Sequence, residues 1–115
     1  MKTIFAICFL IILITFTRGY LAKETLSGKD IFSTVKGSYG SCNTCHPNGA
    51  SAGRWDSEYL EISADGDKVI PSLKGFGKKK TPEQVEKAVR LFSIKFKVPV
   101  KNDQIKALAE YVSSL

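Results

Sequence analysis

The sequence predicts a small all-α domain carrying a short β-hairpin insertion. Two stretches near the C-terminus repeat apolar residues at helical spacing, the first opened by the strong start signal Thr81-Pro82-Glu83-Gln84. A further helix start, Ser27-Gly28-Lys29-Asp30, stands well upstream. Between them, strand-like Tyr59–Ser63 and Lys68–Ile70 flank Asp65-Gly66, a hairpin signal.

The chain of 115 residues is long enough for one domain. Near its start, Lys2 precedes an apolar stretch of 13 residues, Ile4 to Phe16, interrupted only by Thr15. A membrane-spanning helix needs about 20 such residues. A charged start, a short apolar core and the small residues Thr17 and Gly19 predict a secretory signal peptide, residues 1–19. Cleavage after Ala22 is the alternative, and an uncleaved anchor a third reading. The mature domain is then 20–115, exported to the periplasm or otherwise beyond the cytoplasmic membrane. Cys8 leaves with the signal peptide. Removing Lys2 and Arg18 from the 17 basic residues leaves 15 against 11 acidic, a net of +4. That falls short of a nucleic-acid binder's profile. No apolar anchor for membrane contact is expected once the signal is gone.

In the first helix Ser27 caps, Asp30 sits in the first turn, and Ile31, Phe32 and Val35 share a face. A glycine-containing loop leads to Cys42-Asn43-Thr44-Cys45-His46. Two thiols three positions apart, followed directly by an imidazole, form the haem-attachment pattern Cys-x-x-Cys-His. Each thiol can add to one vinyl group, and the next residue then lies under the iron. His46 is the only histidine. A thioredoxin-type disulfide would need a βαβ setting, which the pattern lacks. A structural zinc needs about four Cys or His ligands, and only Cys8 remains beyond the motif.

Pro47 to Arg54 is rich in Gly, Ala, Ser and Asn and reads as a loop. Trp55 reads as core or cofactor-edge packing. After the hairpin comes Pro71-Ser72-Leu73-Lys74-Gly75, then the cluster Lys78-Lys79-Lys80. Thr81 caps the next helix, Pro82 takes its first position, and Val85, Ala88, Val89 and Phe92 form its apolar stripe. The last helix begins near Asn102, with Ile105, Leu108, Ala109 and Val112 buried.

The haem motif resembles that of the c-type cytochromes, and three weaker signals extend the likeness to class I of that family. Gly28 and Phe32 match its Gly-x-x-x-aromatic first helix, Pro71-x-Leu73-x-Gly75 its proline loop, and Tyr111 the aromatic of its closing helix. The resemblance implies a small cytochrome c-like helical fold around one covalent haem c, attached through Cys42 and Cys45 and ligated by His46. It implies that the Pro71 carbonyl orients His46 and that Leu73 packs on the haem. It also implies electron transfer rather than enzymatic catalysis. The spacing departs from compact members, since 24 residues separate His46 from Pro71. The hairpin reads as an insertion filling that gap.

A second departure concerns the far side of the iron. The family's usual distal methionine is missing, because the only methionine is Met1. The segment Ser93 to Lys101 contains no Met, His or Cys. The iron is left five-coordinate beside apolar residues such as Phe92, Ile94, Phe96 or Val98, or ligated by Lys95, Lys97 or Asn102, or by a partner. Since methionine raises haem potential, its absence predicts a lower one. Two functions follow: an electron carrier docking to acidic redox partners through Lys74 and Lys78 to Lys80, or a binder of small gases such as NO, CO or O₂.

Overall fold

The structure, a computed structural model, describes residues 25–115. The signal-peptide expectation for residues 1–19 lies outside the described residues. The elements in chain order are α1 (Gly28–Thr34), α2 (Cys42–Cys45), a 3₁₀ turn (Pro47–Gly49), β1 (Arg54–Asp56), β2 (Glu61–Ile62), β3 (Lys68–Val69), α3 (Phe76–Lys79), α4 (Pro82–Lys95) and α5 (Asn102–Ser114).

The closing helix α5 is the hub on which α1, α3 and α4 pack. Its stripe of Leu108, Ala109 and Val112 meets Ile31 and Phe32 of α1 and Val85 of α4 in one apolar core. The caps form as the sequence requires. Ser27 Oγ accepts the Asp30 N–H at 3.1 Å. Gln84 Oε1 accepts the Thr81 N–H at 2.9 Å, and Thr81 Oγ1 accepts the Gln84 N–H. The start of α5 is tied similarly, with Lys101 N–H donating to Gln104 Oε1 at 3.0 Å.

The crossing of α1 and α5 depends on Gly28. A β-carbon there would stand 2.1 Å from the Ala107 carbonyl oxygen and 2.8 Å from Tyr111 Cβ. With no side chain in the way, the helices close, and Phe32 meets Tyr111 edge to face with ring centroids 5.2 Å apart.

The all-α expectation is corrected, because the fold mixes helix with a three-stranded antiparallel sheet of order β2-β1-β3. The hairpin is corrected with it. Glu61–Ile62 and Lys68–Val69 do not pair with each other; both pair with β1, through Trp55↔Ile62 and Trp55↔Lys68. The connection from β2 to β3 therefore passes over the central strand instead of turning tightly at Asp65-Gly66. Gly66 permits this, since a β-carbon there would lie 2.5 Å from the Trp55 backbone. The Arg54 side chain secures the crossing by donating to the Gly66 carbonyl at 2.6 Å. A three-residue central strand is too short for alternation to mark it in the sequence, which is why it reads there as the end of a loop.

The stripe of α4 holds at Val85 but not at Phe92, which is 56% exposed. Leu91 and Ile94 are exposed beside it. Phe92 instead stacks on Phe96, centroids 6.2 Å apart.

Candidate functional site

The motif residues sit on a single helical turn. Ser41 begins it: its N–H donates to Thr44 Oγ1 at 3.0 Å. Three positions along a helix return to nearly the same face, so this turn carries Cys42 and Cys45 together. Both thiols are free and half-buried. His46 ends the turn, its N–H donating to the Cys42 carbonyl at 3.0 Å. Asn48 follows in a left-handed conformation (φ 52°), and its N–H is held by Asn43 Oδ1 at 2.9 Å. The chain is thereby bent back beneath the histidine.

Pro71 reaches this place through hydrogen bonds that zip two distant loops. Leu73 N–H donates to the Gly49 carbonyl at 2.7 Å, Ile70 N–H to the Gly53 carbonyl at 2.9 Å, and Ser51 Oγ to the Ile70 carbonyl. The sheet enters and leaves at adjacent points, Gly53 and Ile70. Residues 54–69 therefore add no distance between His46 and Pro71. Leu73 is half-buried against the apolar core.

Burial draws the His46 imidazole below its ordinary pKa, while the carbonyls of Pro71 and then Ala50 act in the opposite direction. These carbonyls approach the ring without closing a well-aligned bond on Nδ1, which is buried and has no hydrogen-bond partner. Ala50 was not legible as a site residue. Its role comes from the backward bend, for which the Asn48-Gly49 pair was the available signal.

Burial pushes both thiols upward; at Cys42 the neighbouring Cys45 adds to the effect. Thiol–disulfide exchange needs the reverse, a depressed pKa that populates thiolate. Among the described residues, no three His, Cys, Asp or Glu side chains are grouped to hold a metal ion. Iron inside a porphyrin escapes that requirement, because one protein ligand can hold it.

The distal candidates are scattered. Asn102 Oδ1 accepts from the Arg90 guanidinium at 2.8 Å. The Lys95 ammonium lies over the rings of Phe96 and Phe92, 5.6 and 6.0 Å from their centroids. Lys97 is exposed, in a left-handed conformation (φ 54°), with its carbonyl against Gly37. Val98 is buried, whereas Ile94 is exposed. Lys74, Lys78, Lys79 and Lys80 are all exposed, on α3 and just to either side of it.

An aromatic cluster went unrecognised in the sequence. Trp55 of β1 meets Tyr39 and Phe96 edge to face, with centroids 5.6 and 5.7 Å apart. The three come from separate segments, so no local spacing announces them.

Comparison with protein-family models, curated proteins and solved structures gives no match.

Proposed function

We propose that this chain is an exported monohaem c-type cytochrome, an electron carrier of low potential. The observation that carries the reading is the pairing of two free thiols on one helical turn with an adjacent histidine whose buried Nδ1 has no partner. A buried polar nitrogen without a bond costs about 1–3 kcal/mol. A ring N–H donated to the nearby Pro71 or Ala50 carbonyl would remove that cost, as a modest shift of the imidazole allows. Such an outer partner fixes the tautomer and orientation of a metal-bound histidine.

The residues fit haem c in their donor chemistry. Cys42 and Cys45 would hold it by thioether bonds, His46 would ligate the iron, and Pro71 and Ala50 would orient His46. When bound, haem supplies a one-electron iron centre. Exposed Leu91, Phe92 and Ile94 give α4 an apolar face of the kind a flat apolar group would cover. The exposed lysines of the α3 region would steer encounter with an acidic partner, an effect that salt weakens.

One observation favours gas binding as the second reading. Asn102 is engaged by Arg90 and Lys95 lies over aromatic rings, so neither of these two side chains is free to serve as a second protein ligand to the iron. Optical spectra of the ferrous protein with and without CO separate the two. A low-spin spectrum indifferent to CO supports the carrier and excludes the gas binder; an immediate CO shift favours the gas binder instead.

A further inference from the structure

The residue that follows α5 joins the two loops that meet at His46. Leu115 closes that helix, its N–H donating to the Val112 carbonyl at 3.3 Å. Its main-chain oxygen accepts the Gly75 N–H at 2.9 Å, which ties it to the loop carrying Pro71 and Leu73. Its side chain lies on the other loop. A β-carbon on Gly49 would stand 2.9 Å from Leu115 Cδ1 and 3.1 Å from Cδ2, so the leucine methyls cover the bare Gly49 backbone. Gly49 is buried and left-handed, with φ 87°. Its N–H donates to the His46 carbonyl at 2.8 Å, and its own carbonyl accepts the Leu73 N–H at 2.7 Å. Gly77 brings α3 against the same end of α5, since a β-carbon there would lie 2.3 Å from the Ser113 carbonyl oxygen. Leu115 thus touches both loops at once.

We infer that Leu115 is a positioning residue for His46. The two carbonyls that face the imidazole belong to Pro71, in the loop that ends at Gly75, and to Ala50, the neighbour of Gly49. The bond between Leu73 and Gly49 sets the spacing of those carbonyls. Leu115 braces it from both sides, with its methyls on Gly49 and its main-chain oxygen on Gly75. Cutting the side chain back would leave a cavity over Gly49 into which that loop can relax. The carbonyls would then shift against the ring, and His46 would lose the partner that fixes its tautomer. The inference rests on the proposed role of His46 as the iron ligand, but the hold of Leu115 on the loops is measurable with or without haem.

The test is Leu115→Ala in the mature protein, with Leu115→Met as the volume-conserving variant. Ile105→Val, at a buried position near the start of α5, is the core variant away from both loops. Two readouts need no haem: amide exchange at Leu73 and Gly75, and the ring nitrogen shifts of His46, the only histidine. Both are taken at about pH 8, above the ordinary imidazole pKa, so that the shifts report the tautomer. In Leu115→Ala, exchange at the two amides should quicken by about tenfold or more, as local opening becomes easier. The His46 tautomer should move from Nδ1–H toward Nε2–H. Leu115→Met should match the parent, and Ile105→Val should lower the thermal midpoint yet leave the tautomer unchanged. In the haem-bearing protein, a ring that donates less makes a less basic ligand, so Leu115→Ala should also raise the midpoint potential. The inference is overturned if Leu115→Ala keeps the parent's tautomer ratio, or if Ile105→Val shifts it equally. A parent chain that takes up no haem overturns the cytochrome reading instead, and the tautomer ratio still decides the part played by Leu115.

Discussion

Single residues in this protein are fixed by partners far along the chain. His46 ends its helical turn by a bond to Cys42, yet the carbonyls facing its ring come from Ala50 and Pro71. Asp67 shows the same dependence in the sheet. Its carboxylate sits below its usual range, chiefly through the Ser57 backbone N–H, with a smaller contribution from Lys68. A carboxylate depressed on folding stabilises above its unfolded pKa, near 4, and that contribution fades as pH falls through the folded value. Asp67→Asn should therefore lower the thermal midpoint at pH 7, with the difference from the parent closing as pH drops toward about 2. A gap that stays constant across that range would remove the ionic part of this explanation. At this scale the motif was fully legible, because Cys-x-x-Cys-His is local in sequence. Ala50 was not, because its part depends on the left-handed Asn48 turn.

Elements obey the same division between local and distant causes. The starts of α1 and α4 were readable from Ser27, Thr81, Pro82 and Gln84, whose capping bonds span three residues. The exposure of Phe92 was not, since helical spacing shows which residues share a face but not whether another element covers it. The sheet was hidden for a related reason: its central strand has only three residues, and both of its partners follow it in sequence. Close approach between elements gives the sharpest prediction here. Gly28→Ala would put a methyl group 2.1 Å from the Ala107 carbonyl oxygen, and relieving that clash means moving backbone. Overpacking of this kind costs about 1–3 kcal/mol. A lowered urea midpoint with an unchanged slope is the expected result; unaltered stability would mean that α1 and α5 do not meet so closely in solution.

For the whole molecule, the sheet behaves as an insertion whose two ends touch. Gly53 and Ile70 are joined by a 2.9 Å hydrogen bond, and the helical core draws none of its buried cluster from the strands. Replacing residues 54–69 by a two-residue linker should leave a protein with helical circular dichroism and cooperative unfolding. It should be less stable by about 3 kcal/mol or more, the order of removing a buried aromatic such as Trp55. Loss of cooperative folding would show instead that the sheet is integral to the core. The helix order and the proline loop were visible in the sequence, and the joined ends of the sheet segment explain how Pro71 lies near His46 although 24 residues separate them.

The central claim is covalent haem at Cys42 and Cys45, and it is tested most directly by expression with a haem-attachment system, followed by mass and visible absorption of the unfolded chain. One haem per mature chain, retained through denaturation and lost in the Cys42→Ala, Cys45→Ala double variant, is the result this account predicts. A chain that unfolds free of haem, or with Cys42 and Cys45 joined in a disulfide, would contradict it.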